Sequence, residues 1–228
     1  MAIISLYRLL FEEPEDGPDA VFGKYMFDDQ RREISKSKKE PPTKAEEDAF
    51  SALSRYVAFN DKEELGNVAP TLLKLKRKGL YSPLLDPAKG GRATAYRIFF
   101  MTPEAARQSF GIDGTKSSGQ IAGGVLGPRA DSPLQGWTTD PSMFHTILRQ
   151  EDGKPVYVLL KASLKKNDNF FGNPKRLAGL ADEDFKHERE TLAIGPVSYD
   201  RGVYFTVPDN TDIATIKTRL DFAIASIK

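Results

Sequence analysis

Two glutamates that are separated by a single residue are the side chains of this sequence best suited to acid–base chemistry. Glu188 and Glu190 flank Arg189, in a stretch (187–194) with the composition of a strand. Because alternate strand residues project to the same side, both carboxylates would face one way, about 6.5–7 Å apart. Beside a cavity, one carboxylate can stabilise a developing cation while the other orients or deprotonates the attacking group. A solvated strand face explains the same pattern.

Arg97 is a second candidate, because it lies in a segment of apolar side chains. In a strand it would share a face with Ala95, Phe99 and Met101. A guanidinium among apolar side chains is unfavourable unless an anion faces it, and its planar fork suits the paired oxygens of a carboxylate or phosphate. A structural ion pair or an exposed position on an edge strand is the alternative.

A third candidate is a short motif that begins at the only tryptophan, Trp137, and continues through Thr138, Thr139 and Asp140 to Pro141. An aromatic residue followed by hydroxyls predicts a tight strand end lined by polar groups. In the alternative interpretation, Trp137 anchors the core and Thr139 or Asp140 caps a helix that begins at Pro141.

The elements that must position these residues follow from periodicity and capping signals. The motif Thr43-Lys44-Ala45-Glu46 has the form of a capping box and predicts a helix over about 44–58. Since proline suits a first turn, Pro70 predicts a helix over 70–78, with a shorter helix before it at 61–67. A further helix starts at Pro103, and isoleucine and leucine spacing predicts a C-terminal helix from Ile213.

Strands are predicted over 93–101, 155–164, 187–194 and 202–207, and the run 3–11 reads as a strand or a helix start. Long loops are predicted over 111–136, with at most a brief strand at 122–126, and over 165–185.

Composition and charge exclude several functional classes. The 228 residues hold 33 Lys+Arg and 32 Asp+Glu, a net charge of +1, so no excess charge indicates a polyanionic partner. Acids predominate over 11–30 and bases over 31–44, which we interpret as a solvated loop or linker rather than a patch for nucleic acid or phospholipid. The absence of cysteine excludes disulfides and thiolate chemistry.

No apolar run reaches the length of about 20 residues that a membrane span needs, and the first residues lack a secretory signal. We therefore expect a soluble protein that is cytoplasmic or is delivered into the cytoplasm of a target cell.

The order and spacing of the three candidate motifs resemble a known family. Thr138 follows Arg97 by 41 positions, and Glu190 follows Thr138 by 52. This pattern is similar to the Arg–Ser/Thr–Glu motif of mono-ADP-ribosyltransferases, in the cholera-toxin-like, arginine-type branch of bacterial toxins and phage-encoded enzymes. The resemblance covers about residues 45–207.

The resemblance implies a cofactor site for NAD as co-substrate. Arg97 would hold the phosphate and ribose of NAD, and the backbone of Ile98 would lie near the nicotinamide amide. The middle motif, Trp137-Thr138-Thr139, would line the pocket, with Thr138 helping to position the catalytic glutamate.

The resemblance also implies the catalytic pair and the reaction. Glu190 would bond the nicotinamide-side ribose and stabilise the oxocarbenium-like transition state, and Glu188 would orient and deprotonate the acceptor. The expected activity is transfer of ADP-ribose from NAD to a side chain of a target protein, with arginine as the expected acceptor, and with release of nicotinamide. Two alternatives remain: an NAD glycohydrolase, and a catalytically silent binding or accessory protein on the same fold.

Two departures from the family pattern bear on this prediction. The family commonly has serine where this chain has Gly136, so the hydroxyl role falls on Thr138 or Thr139. Arg8, in Leu6-Tyr7-Arg8-Leu9, also resembles the first motif, and Arg97 is preferred because Arg8 precedes Thr138 by 130 positions.

The fold expected is α+β: an N-terminal helical part followed by a split antiparallel β-sandwich of the ADP-ribosyltransferase type. We expect residues 1–90 to form an N-terminal segment with a charged linker and helices, either separate or part of the catalytic fold, and residues 91–228 to form the catalytic core.

Overall fold

The structure is a computed structural model that describes residues 42–59, 61–81, 85–113, 116–128, 133–148, 154–172, 190–208 and 210–228. Several predictions lie outside the described residues. They concern the charged residues 11–41, the run 3–11 with its Arg8, and Glu188.

Five α-helices and seven strands make up the described part of the chain. The helices are α1 (Lys44–Phe59), α2 (Lys62–Arg77), α3 (Pro103–Phe110), α4 (Phe144–Ile147) and α5 (Ile213–Ile227). The strands are β1 (Thr94–Met101), β2 (Ser118–Leu126), β3 (Leu134–Thr138), β4 (Val156–Ser163), β5 (Phe170–Phe171), β6 (Glu190–Ile194) and β7 (Val197–Thr206). Short 3₁₀ turns occupy Pro87–Gly90 and Pro141–Met143. This content confirms the α+β class.

The predicted capping box starts α1. The Thr43 backbone N–H donates to Glu46 Oε2 at 2.8 Å, and the Glu46 N–H donates to Thr43 Oγ1 at 3.4 Å. The prediction of two helices around Pro70 is wrong, because α2 continues through that proline. Pro70 is exposed while Leu65 and Leu72 are fully buried, so burial of one face holds the helix together although proline cannot donate a backbone hydrogen bond.

The strands form one antiparallel sheet in the order β2-β7-β4-β1-β3-β6-β5. β1 pairs with β4 along its whole length, from Thr94↔Ser163 to Met101↔Val156. In contrast, β1 meets β3 at the single pair Tyr96↔Thr138. The sheet is therefore two parts, a four-stranded and a three-stranded one, joined at one point.

Gln135 shows that the two parts curl towards each other. In a flat sheet, β2 and β3 would lie four strand spacings apart, about 19 Å. The Gln135 Nε2 instead donates to Leu126 O at the end of β2, at 3.3 Å, and to Gly195 O after β6, at 2.7 Å. Apolar residues of both parts, among them Val158, Leu160, Trp137 and Phe170, form one core cluster between them.

Helices cover the other face of the sheet in two places. Helices α1 and α2 pack on the three-stranded part through Leu134, Phe171 and Leu192. Helix α5 packs on the four-stranded part through a cluster that includes Tyr96 and Leu159. Because the helices that precede residue 90 share a core with β3, β5 and β6, the two predicted segments are in direct contact.

Several strand predictions hold and others need correction. The strands at 93–101 and 155–164, the helix from Pro103 and the C-terminal helix are confirmed, each within a few residues. The loop predicted over 111–136 contains the nine-residue β2 and most of β3, β5 lies in the loop predicted over 165–185, and β7 begins five residues before the predicted strand.

The glycines of β2 weaken the strand signal in its sequence. Their neighbours on β7 explain why the strand forms. A Cβ at Gly119 would lie 2.7 Å from the Tyr204 ring, and one at Gly124 would lie 2.6 Å from the Tyr199 hydroxyl. Tyrosine rings therefore lie across these positions and supply the packing that the glycines lack.

Within the described part of the chain, no helix is long and apolar enough to cross a membrane.

Candidate functional site

The candidate site centres on a row of residues across β1, β3 and β6. Tyr96 pairs with Thr138, and Thr138 pairs with Glu190. Directly opposed residues of antiparallel strands project to the same face, so these three side chains lie side by side. The three sequence motifs thus lie on three adjacent strands, at the same level of the sheet.

This row lies on the helix-covered face, between its two helical layers. Tyr96 belongs to the core cluster beneath α5, whereas Leu134 and Leu192, farther along β3 and β6, belong to the cluster beneath α1 and α2. Thr138 and Glu190 belong to neither cluster. Thr138 is buried and Glu190 is half-buried, so solvent reaches the row at its Glu190 end.

The carboxylate of Glu190 lies over Gly136. A Cβ built on Gly136 would be 3.0 Å from Glu190 Oε1. Gly136 is exposed, although the other four residues of β3 are buried. The carboxylate is therefore beside a place where the backbone of β3 is open to solvent.

The Thr138 hydroxyl closes a turn at the end of β3. It donates to Asp140 O and accepts from the Asp140 N–H, both at 3.1 Å. The Asp140 carboxylate accepts from the Ser142 N–H at 3.1 Å and from the Ser142 hydroxyl at 2.7 Å, which confirms it as the cap of the turn that begins at Pro141. Thr138 thus orders the strand end beside Glu190.

The structure does not bring Arg97 to the same face as Glu190. Arg97 follows Tyr96, so it projects to the opposite face, towards the core between the two parts of the sheet. Its Nη1 donates to Gln135 Oε1 at 3.1 Å, and its Cζ lies 4.9 Å from the centre of the Phe99 ring. These contacts couple β1 to β3.

Trp137 also projects away from Glu190. Its ring is 2% exposed and packs edge-on against Phe170, with centroids 5.7 Å apart, which confirms the interpretation as a core anchor. Among the described residues, its Nε1 finds no hydrogen-bond acceptor. A buried N–H without a partner is unfavourable, so a water or another acceptor at that atom would stabilise the core.

Of the remaining predicted site residues, Ile98 shares the face of Tyr96 and packs, half-buried, against the cluster beneath α5. Thr139 follows β3 directly and is half-buried. The strand register therefore groups Ile98, Thr138 and Glu190 on one face and places Arg97 and Trp137 on the other.

Gln135 is a residue that the sequence analysis missed. It is 2% exposed, accepts from Arg97 and donates to two carbonyls of distant segments. A glutamine next to Gly136 carries no sequence signal for burial, because its partners are 9 and 60 residues away along the chain.

Two titratable groups with shifted pKa values lie in the layer of α1 and α2 and at its contact with the sheet. Burial, together with the Glu46 carboxylate, raises the pKa of Tyr81, whose hydroxyl donates to Glu46 Oε2 at 3.1 Å. Burial lowers the pKa of Lys76, whose Nζ donates to Phe170 O at 2.6 Å. The Tyr81 hydroxyl is thus bonded to α1, and the Lys76 ammonium bonds α2 to β5. Among the residues that the structure describes, no three carboxylate or imidazole groups cluster as metal ligands would.

Comparisons of the chain with protein-family models, with curated proteins and with solved structures found no match.

Proposed function

We propose that this protein is an NAD-dependent mono-ADP-ribosyltransferase in which Glu190 is the catalytic carboxylate. The observation that carries the proposal is the row Tyr96–Thr138–Glu190. In this row, three motifs that are far apart in sequence lie side by side on adjacent strands. The split, curled sheet is compatible with the sandwich that the resemblance implies.

The proposed chemistry uses a negative charge beside a developing positive one. The bond between ribose C1′ and the nicotinamide nitrogen breaks, and its electron pair leaves with neutral nicotinamide. The ribose becomes oxocarbenium-like, and the Glu190 carboxylate stabilises that cation. A nucleophile of the acceptor then bonds to C1′ and loses its proton, a step that we assign to Glu188. Thr138 holds the end of β3 in place next to Glu190.

Arg97 has a different role in this proposal from the one expected from sequence. Since its guanidinium bonds Gln135 on the far face from Glu190, we propose that Arg97 couples β1 to β3 and that Arg8 supplies the cation for the NAD phosphates. Arg97→Ala should then lower the melting temperature without changing the affinity for NAD, while Arg8→Ala should weaken NAD binding.

A thermal-shift titration with NAD tests the proposal and this assignment together. At 100 times its Kd, a ligand of the native state stabilises it by about 2.7 kcal/mol, which raises the melting temperature by about 5–10 °C at this chain length. We expect that shift for the wild type and Arg97→Ala. If NAD raised the melting temperature of Arg8→Ala as much as that of the wild type but did not raise that of Arg97→Ala, the roles of the two arginines would be reversed.

A second candidate function is a catalytically silent binding protein. The observation that favours it is the placement of Arg97 and Trp137, which turns two of the expected cofactor residues away from Glu190. No thermal shift with NAD and no nicotinamide release would establish this candidate. Nicotinamide release that is independent of any added acceptor protein would instead indicate hydrolysis of NAD.

A further inference from the structure

The end of α2 is part of a basic surface that the net charge of the chain conceals. This basic surface is formed by residues 74–78, 85–93 and 164–170. Its charged residues are the acids Asp86 and Asp168 and the bases Lys74, Lys76, Arg77, Lys78, Lys89, Arg92, Lys165 and Lys166. All eight bases are exposed or half-buried. The neighbouring start of α1, residues 44–48, adds one base and three acids, so bases remain in excess.

Contacts between the three segments bring these charges together. The Arg77 guanidinium at the end of α2 pairs with the Asp168 carboxylate of the third segment at 2.9 Å. The backbone of the third segment bonds the second, since the Leu164 N–H donates to Ala93 O at 3.0 Å. Segments that are up to 90 residues apart in the chain therefore form one surface, which no local sequence pattern could indicate.

Half of the bases on this surface have no anionic partner among the described residues. The exposed lysines without a carboxylate at ion-pair distance are Lys74, Lys78, Lys89 and Lys165. Cations that lie close to one another repel, so an anionic segment that binds here lowers the electrostatic energy of the surface.

The described part of the chain begins beside this surface. Helices α1 and α2 are antiparallel neighbours, since Arg55, near the end of α1, pairs with Glu64, near the start of α2, at 2.8 Å. At the opposite ends, Glu46 of α1 accepts from the hydroxyl of Tyr81, which follows α2, at 3.1 Å. Pro42, the first described residue, therefore lies close to the end of α2.

An acidic segment is within reach of that point. Residues 11–30 hold seven acids and one base. Twelve positions separate residue 30 from residue 42, a length that spans up to about 40 Å. A tether of this length gives a high effective concentration, so ion pairs that are weak singly act together. The intervening residues 31–41 hold five bases and two acids, so they compete with the basic surface for the same carboxylates.

We propose that the acidic segment, residues 11–30, binds the basic surface of its own chain. Its carboxylates pair with the exposed lysines, and salt weakens the contact because the Debye length falls from about 10 Å at 0.1 M to about 3 Å at 1 M. The inference is independent of the proposed function. The basic surface meets β6 where Ile194 N–H donates to Asn169 O, at the opposite end of that strand from Glu190.

Carbodiimide cross-linking of the full chain tests this proposal, because the reagent joins a carboxylate to an amine that it touches. Mass spectrometry of the monomeric product locates the links. Lys217 is the matched control, since it is an exposed lysine of α5 without an ion pair among the described residues. We expect links from residues 11–30 to the four lysines to exceed those to Lys217 by at least about fivefold at low salt, and to fall to that level at 1 M salt.

Charge reversal separates the basic surface from the bases of residues 31–41. In Lys74→Glu/Lys78→Glu, links from residues 11–30 to Lys89 and Lys165 should fall by at least about threefold, because two cations become anions. Adding Glu12→Lys/Glu13→Lys to that variant should create links between the reversed positions. Lys217→Glu should leave the wild-type pattern unchanged. If the charge reversal lowers the melting temperature strongly, Lys74→Gln/Lys78→Gln replaces it.

Several outcomes overturn the proposal. They are links from residues 11–30 that are confined to residues 31–41, links that are as frequent at Lys217 as on the basic surface, and links found only in cross-linked dimers. Salt-sensitive binding of a duplex DNA probe, without links from residues 11–30, would assign the surface to nucleic acid and overturn the proposal as well. None of these readouts depends on NAD, so the proposed function stands or falls separately.

Discussion

Replacement of Gln135 by leucine should destabilise the protein strongly, because this one side chain joins three segments. Its Nε2 donates to Leu126 O and Gly195 O, and its Oε1 accepts from Arg97. Gln135 is 2% exposed, so water cannot easily replace the two bonds that its Nε2 donates. Leucine matches the volume and supplies none of them.

The magnitude follows from the individual contacts. Two buried amide–carbonyl bonds contribute about 1 kcal/mol each, and leaving their carbonyls without this donor costs about 1 kcal/mol more. The bond from Arg97 adds little, because that guanidinium is half-buried and water can take the place of the amide. We expect the free energy of unfolding to fall by about 3 kcal/mol and the melting temperature by about 6–12 °C.

Urea unfolding measures this loss, with Gln120→Leu as the control. Gln120 lies on β2 and is exposed, so its replacement should change stability by less than about 0.5 kcal/mol. A loss below about 1 kcal/mol in Gln135→Leu would refute the argument that this amide holds the two parts of the sheet together.

Two further perturbations test other contacts of the fold. Tyr81→Phe removes a phenol whose pKa is raised by burial and by Glu46, so its contribution to stability is complete below the unfolded pKa of about 10 and is lost at higher pH. Wild type should therefore lose stability faster than Tyr81→Phe between about pH 9 and 11, and parallel curves in thermal melts would contradict this. Gly123→Ala places a Cβ 2.7 Å from the backbone oxygen of Asp200 and should cost about 2 kcal/mol in urea unfolding, against less than about 0.5 for Gly127→Ala. Equal stability of the two alanine variants would show that the backbone moves aside freely.

Local sequence signals predicted the elements whose formation depends on their own residues. The capping box at Thr43 and Glu46 identified the start of α1, and isoleucine spacing identified α5. Only the second half of β2 was predicted, as a brief strand at 122–126, because the packing of its glycines comes from Tyr199 and Tyr204 of another strand. The sequence also predicted two helices where α2 is continuous, since burial of one helix face outweighs the local effect of a proline.

The direction in which Arg97 points could not be predicted from sequence. Alternation within β1 sets Arg97 opposite Tyr96, but which of the two faces Glu190 depends on the pairing Tyr96↔Thr138. A shift of one residue in that register would exchange the two faces. The sequence therefore predicted strands at the three motifs, but only the folded structure shows that these strands are adjacent and that their register separates Arg97 from Thr138 and Glu190.

The most direct test of the central claim is the transfer of label from NAD to protein by Glu190→Gln. The substitution keeps the size of the side chain and removes its charge, and Glu63→Gln, at an exposed glutamate in the first turn of α2, is the control. Purified variants are incubated with labelled NAD and a cell lysate, and labelled protein and free nicotinamide are followed with time. We expect label with wild type and Glu63→Gln, and an initial rate at least about 100-fold lower with Glu190→Gln. Equal rates for wild type and Glu190→Gln, or no labelled protein and no nicotinamide from the wild type, would contradict the account.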